Sequence, residues 1–224
     1  MHTLKRNSLM TGALGGALLL LSPLSQASWV SGACPSGLSV PCVEQDYNGT
    51  LYHFNGGHED DWHPDANGDD FSFSGSGTIQ CPSQTLDCSV NLDAQVKKFQ
   101  DDQDIWRIGF KVTDASVSGG LLCSLADLSG MPWYLADSST HDNFGNDDGV
   151  VWPGPIQGNI GTLEVLLAGS SVASNIHAHG VSYDNVDTFS LTGDLYNNGT
   201  DTAQGCSLSG DLTLDSPVNY LTVF

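Results

Sequence analysis

FSFSGSGTIQ (Phe71–Gln80) and CSVNLDAQV (Cys88–Val96) decide the fold. In the first, Phe71, Phe73, Gly75, Gly77 and Ile79 fall on one face, with serine and threonine prominent on the other. In the second, Cys88, Val90, Leu92, Ala94 and Val96 do the same. Period two belongs to a strand, whose successive side chains point to opposite sides. FSLTGDL (Phe189–Leu195) and CSLSGDLTLDS (Cys206–Ser216) repeat the pattern, so half-buried antiparallel strands are expected. Turn residues cluster between such runs: NGG from Asn55, NDDG from Asn146 and NNGT from Asn197. The nearest approach to a helix is LLCSLADL (Leu121–Leu128), which predicts one short turn. FSFSGSG, FSLTGDL and CSLSGDL share an apolar–Ser–apolar–hydroxyl–Gly core without a regular repeat length. Their common glycine is expected at a bend or a close-packing point. The fold expected is all-β: one antiparallel sandwich or barrel-like domain with acidic loops, stabilised by disulfides.

The N-terminus bears on compartment. Lys5 and Arg6 precede the apolar run LMTGALGGALLLL (Leu9–Leu21), and Ser25 and Ala27 stand at the small-residue positions of a cleavage site. These are the three parts of a secretory signal peptide. The apolar run is shorter than the roughly 20 residues that span a bilayer. Cleavage after Ala27 is expected to leave residues 28–224 as a single secreted all-β domain. That segment keeps 6 − 2 = 4 basic residues against 26 acidic ones, a net charge of 4 − 26 = −22. Such a charge repels phosphate backbones and anionic lipid headgroups, so neither nucleic acid nor an anionic membrane surface is an expected partner. It favours solubility, cation binding and tolerance of salt.

Cys34, Cys42, Cys81, Cys88, Cys123 and Cys206 all follow the expected cleavage point. An even count in an exported chain implies disulfides, with 15 conceivable connectivities. Spacing favours Cys34–Cys42 and Cys81–Cys88 as local loops, leaving Cys123–Cys206 to close a long one.

Candidate chemistry is concentrated in three places. HFNGGHEDDWHPDANGDD (His53–Asp70) puts Asp65, Asn67 and Asp69 at alternating positions around Gly68, a spacing whose oxygens could wrap calcium. Against this, His63 takes the first ligand position of a helix–loop–helix calcium motif and Ser74 the place of its bidentate glutamate, so a solvated Asx-rich loop is the competing reading. HDNFGNDDG (141–149) has similar ingredients and no better register. His53, His58 and His63 are five residues apart, a spacing that keeps them on one face of neither helix nor strand. His177 and His179, in NIHAHG, would share one face of a strand. Two imidazoles so placed can bind a transition metal if a neighbouring strand adds a third ligand; an exposed polar face is the alternative. No GxSxG elbow occurs, and Glu44, Glu59 and Glu164, the three glutamates, sit in no recognisable catalytic neighbourhood. Trp62, Trp106, Trp133 and Trp152 would serve equally as a carbohydrate platform or as ordinary packing residues.

ASVSGGLLCSLADLSGMPWYL (Ala115–Leu135) carries a resemblance. A strand ending in Gly119–Gly120, then Cys123, then Pro132–Trp133 after a glycine-containing loop resembles the PraB-type family, activators of alkane oxidation. GCSLSGDLTLDSP (Gly205–Pro217) is similar to that family's closing strands. The Asp- and His-rich segments at 53–70 and 137–149 depart from the family and look like insertions. The resemblance implies an exported, non-catalytic accessory protein that promotes hydrocarbon utilisation, with a hydrocarbon or other apolar ligand as its partner. It supplies no catalytic residues and no required cofactor; calcium is the ion to expect if one is bound. Surface activity at an oil–water boundary and uptake of an alkyl chain both remain open mechanisms. The competing class is a cell-surface or biofilm-matrix β-protein that self-associates, followed by a calcium- or carbohydrate-binding module. The uncharged, β-prone end VNYLTVF (Val218–Phe224) would either close the domain's own sheet or add to a neighbour's edge.

Overall fold

A computed structural model describes residues 29–55 and 61–224. The expected signal peptide (1–27), His58 and Glu59 lie outside the described residues. The two opening stretches become β4 (Phe71–Cys81) and β5 (Gln84–Gln100), an antiparallel hairpin turning at Pro82–Ser83. Around them run β6 (Trp106–Ser118), β8 (Trp133–Ala136), β10 (Ile156–Leu167), β11 (Ser170–Tyr183), β12 (Thr188–Asn197) and β13 (Thr202–Leu214). Neighbours pair in the order β11-β12-β13-β4-β5-β6-β8-β10, and β10 pairs back onto β11, so eight antiparallel strands close a barrel. Of the two architectures left open, the barrel is the one formed. Closure removes the free edges that would otherwise template association. Between β6 and β10, β8 is flanked by two short pieces, β7 (Ala126–Ser129) on β10 and β9 (Val150–Val151) on β6. The expected helical turn is α1 (Gly120–Cys123).

The period-two faces are realised. Phe71, Phe73, Ile79, Val90, Leu92, Ala94 and Val96 are buried in the core, while their polar neighbours face outward or lie partly covered. The glycine shared by the three similar strands has a steric cause. A Cβ on Gly75 would lie 2.2 Å from the Asp211 carbonyl oxygen, on Gly193 2.1 Å from that of His179, and on Gly210 2.6 Å from that of Ser76. Adjacent strands approach too closely there for any side chain.

A second sheet, in the order β1-β3-β2-β14, is made by β1 (Val30–Ser31), β2 (Val43–Tyr47), β3 (Thr50–Phe54) and β14 (Val218–Val223). It covers the end of the barrel where Phe73, Phe110, Tyr183 and Phe189 meet ring to ring. Its Val43, Phe54, Val218 and Leu221 belong to the same continuous core as the barrel side chains. The Tyr183 hydroxyl lies 2.7 Å from the Val186 carbonyl and 2.6 Å from that of Leu221, joining barrel to cap. The chain's last strand therefore closes the protein's own sheet. Its outer edge is occupied: Leu221 N–H donates to Val186 O, and Val223 N–H to Asn185 Oδ1.

All six cysteines are bridged, but only one expected pairing stands. Cys34–Cys42 is formed as expected; the others are Cys81–Cys206 and Cys88–Cys123, in place of Cys81–Cys88 and Cys123–Cys206. Strand register is the reason. Cys88 lies opposite Gly77, four residues and thus about 13 Å along the strand from Cys81. A disulfide needs Cα atoms within about 7 Å. The β4–β13 register sets Gln80 opposite Ser207, which brings Cys81 to Cys206 with Cα atoms 4.1 Å apart. Cys88–Cys123 fastens α1 to β5.

Candidate functional site

Residues 137–149, between β8 and β9, form a strap over the outer wall of the barrel. Arg107 holds both ends, donating from Nη1 to Asp137 Oδ2 (2.5 Å) and to the Gly149 carbonyl (3.0 Å). Buried Asn159 donates from Nδ2 to the Ser138 and Thr140 carbonyls at 3.1 and 2.8 Å. Lys97 Nζ donates to the Asn146 carbonyl. Phe144 packs on His177 and fills the space a Cβ would need at Gly161. Nearly every cation in the described chain is thus used to hold loops against β5 and β6, and Trp62 lies between Lys97 and Lys111.

Under the strap lies a histidine cluster. On β11, Ile176 and Ala178 point into the core, which turns His177 and His179 outward together, as the i, i+2 spacing requires. His141 reaches them from the strap and Asp201 from the β12–β13 turn. One donor atom from each of His141, His177, His179 and Asp201 lies within 4.8 Å of the other three. His177 Nε2 and His179 Nε2 are 2.9 Å apart. Asp201 Oδ1 is 3.3 Å from His141 Nδ1, 3.4 Å from His177 Nε2 and 3.2 Å from His179 Nε2. His177 is fully buried; its Nδ1 lies 2.9 Å from Asn198 Oδ1, and His179 stacks on Tyr196 at 4.0 Å. The Gly199 N–H donates to the His141 carbonyl, fixing strap to turn. Burial and the facing His177 imidazole lower the His179 pKa, which favours the neutral, ligating form.

A third histidine does stand beside the pair, but it comes from a loop rather than a neighbouring strand, and a carboxylate joins it. His141 lies in a segment whose sequence suggests a calcium-type Asp-rich loop, and Asp201 follows the NNGT turn. No local spacing links either to His177.

The other expected sites are placed differently. Asp65 Oδ1 accepts the backbone N–H groups of Asn67, Gly68 and Asp69 at 2.8, 2.9 and 3.1 Å, and Asn67 Nδ2 donates to Asp69 Oδ2. These residues form an Asx-rich turn that engages one Asp65 oxygen in shaping the loop. His53 and His63 are buried where the cap meets the barrel: His53 Nδ1 lies 2.8 Å from the Gly32 carbonyl, and His63 stacks on Phe54 at 3.9 Å. Trp133 is a core residue, 2 % exposed, with Nε1 donating to the Ser129 carbonyl. Gly119 and Gly120 take φ of +95° and +79°, the left-handed turn that leads β6 into α1. Cys123 then locks that turn to β5, so these resemblance-bearing residues are structural.

The barrel end opposite the cap is not sealed by a sheet. A groove of about 330 Å³ opens there, lined by Ile79, Leu86, Val165, Leu167, Val172 and the Cys81–Cys206 bridge. Deeper inside, between Val90, Leu92, Trp133, Ile160 and Leu163, the free space shrinks to about 30 Å³. Leu121, Leu122 and Leu125, on α1 and its exit, are 81, 54 and 44 % exposed. Leu125 is hydrogen-bonded through its carbonyl to Ala168, at the turn that follows β10.

Among the described residues, no helix is long and apolar enough to cross a membrane. No curated protein and no solved structure gives a significant match to the chain. The family model described as "Alkane oxidation protein activator PraA/PraB-like" matches residues 61–222, which include the barrel, the strap and β14 almost to its end. The chain therefore belongs to the PraA/PraB-like family of alkane oxidation protein activators.

Proposed function

We propose that the protein is an exported, non-catalytic accessory factor that promotes hydrocarbon utilisation by receiving an alkyl chain at the uncapped end of its barrel. The family supports the hydrocarbon setting. Three disulfides suit an oxidising compartment. The observation that carries the binding step is the asymmetry of the barrel ends: one is closed by a packed sheet, the other opens into a groove of about 330 Å³ that is mostly apolar, with Ser83, Gln84 and Gln204 also in its lining, within the size range of small-ligand sites. Exposed leucines on and just after α1 extend apolar surface at the same end, where it can meet an oil phase. The charge of about −22 keeps coated droplets apart by mutual repulsion.

Burial of each methylene contributes about 0.8 kcal/mol, so affinity should rise about fourfold per added carbon until the groove is full. The test is fluorescence displacement across a series of fatty alcohols or alkanes, with the wild type and Val172→Asp. Val172 is half exposed, so the charge reaches the groove without entering the core. Affinity that rises with chain length and collapses in the variant is expected. Absence of binding, together with an unchanged hexadecane–water interfacial tension, would refute the reading. Deleting the gene should slow growth on a long-chain alkane and leave growth on succinate unchanged.

A further inference from the structure

We propose that His141, His177, His179 and Asp201 form a closed, structural binding site for a divalent transition metal, with zinc the best match, that fastens the 137–149 strap to the barrel wall. This is independent of alkyl binding and concerns a different face of the protein.

The geometry fits the ion. Two Zn–N bonds of 2.0–2.1 Å at the tetrahedral angle place their nitrogens about 3.3 Å apart. Four of the six separations run from 2.9 Å (His177–His179) to 3.2–3.4 Å (each histidine to Asp201 Oδ1), and the whole set lies within 4.8 Å. Three imidazole nitrogens and one carboxylate oxygen complete four-coordination, and the set is borderline in softness, which suits zinc and, more tightly by the general order of affinities, copper(II).

The protonation pattern points the same way. Asn198 Nδ2 donates to Asn175 Oδ1, which orients the amide so that Oδ1 faces His177 Nδ1. Nδ1 of His177 is then the N–H, and its Nε2 presents a lone pair to the cluster centre. That lone pair lies 2.9 Å from His179 Nε2 and 3.4 Å from the Asp201 carboxylate oxygen, an acceptor like itself. His141 Nδ1 is buried and makes no hydrogen bond, and the same carboxylate oxygen lies 3.3 Å from it. A cation at the centre satisfies all of these atoms at once. A hydrogen-bonded outer residue that fixes ligand tautomer and ring direction is the usual companion of a metal histidine, and Asn198 has that position. Four protein donors fill a tetrahedral set, which leaves no open position of the kind a catalytic zinc keeps, and Phe144 packs on the buried His177.

The ligands also join separate parts of the chain. His177 and His179 belong to β11, Asp201 to the β12–β13 turn and His141 to the strap, so an ion there fixes the strap near its middle while Arg107 fixes its ends.

The experiment uses the oxidised, exported protein, stripped with chelator and titrated separately with Zn²⁺, Cu²⁺ and Ca²⁺ by calorimetry. Co²⁺ serves as an optical probe of coordination. His141→Ala and Asp201→Ala alter partly exposed side chains, and near-ultraviolet circular dichroism checks that both remain folded. Asn198→Ala tests the outer residue. The expected results are one Zn²⁺ or Cu²⁺ per chain, intense tetrahedral Co²⁺ bands and slower proteolysis within 137–149 when metal is bound. Loss of either ligand should weaken binding by more than 100-fold, and loss of Asn198 by about 10–100-fold. No uptake of either metal, or stoichiometric uptake unchanged in His141→Ala and Asp201→Ala, overturns the proposal. Calcium uptake that is lost in both variants, with no uptake of zinc or copper, would assign the cluster to a hard cation and likewise overturns the proposal.

Discussion

Replacing Cys206 by serine removes the bridge that ties β4 to β13, and the cost can be worked from the connectivity. Cys81 and Cys206 are 125 residues apart, but the Cys88–Cys123 bridge short-circuits 35 of them, leaving an effective loop of 125 − 35 = 90. On the chain-entropy account a 90-residue loop corresponds to about 15.5 cal/mol/K, or about 4.6 kcal/mol at 25 °C. For a domain of this size, a loss of that magnitude lowers Tm by about 9–18 °C. Had Cys81 paired with Cys88, seven residues away, the same account would give about 2.4 kcal/mol. Cys206→Ser would then have shared its phenotype with Cys123→Ser. The observed register demands the opposite grouping: Cys81→Ser, Cys206→Ser and the double variant should melt alike, with Cys88→Ser and Cys123→Ser forming a second matched pair. Calorimetry on the five purified variants, with peptide mapping of the unreduced wild type, is the assay. A Cys81–Cys88 peptide, or a Cys206→Ser curve that follows Cys123→Ser instead of Cys81→Ser, would refute the register argument.

Two further predictions rest on local contacts. Gly193→Ala should cost about 2–3 kcal/mol, because its Cβ would meet the His179 carbonyl oxygen at 2.1 Å. Gly199→Ala has open space around it and should lose only about 1 kcal/mol to its positive φ; denaturant melts giving equal losses would contradict the close-approach account. Asp101 titrates below its ordinary value of 3.8 because it accepts the Ile105 backbone N–H, then Arg107 and the Gln103 N–H. A depressed carboxylate stabilises the fold above its unfolded-state pKa, and that contribution fades as pH falls through the folded value. The Tm gap between wild type and Asp101→Asn should be full at pH 6 and narrow as pH falls below 3.8; a gap that does not narrow with acidification would show the effect to be non-ionic.

The all-β architecture was legible because it is local. Alternation at Phe71–Ile79 and Cys88–Val96 dictates which side of each strand is apolar, and the Gly75, Gly193 and Gly210 motif signals close strand approach wherever it occurs. The family resemblance was readable for the same reason, since Gly119, Gly120 and Cys123 act within one short turn. His177 and His179 could be placed on one face from their spacing alone.

What the sequence could not decide were relations set by register and by loop path. Cys81 finds Cys206 because β4 and β13 are neighbours in that alignment, a fact carried by the whole barrel and not by the seven residues between Cys81 and Cys88. Closure into a barrel instead of a sandwich depends on the last barrel strand, β13, pairing with the first, β4. His141 joins the two β11 histidines only after Arg107, Asn159 and Phe144 hold the strap against the wall, and Asp201 only because β12 and its turn lie beside β11. Side-chain period is a property of each strand by itself, whereas meeting in space belongs to the ensemble of strands; that is why the faces could be foretold and the partners could not.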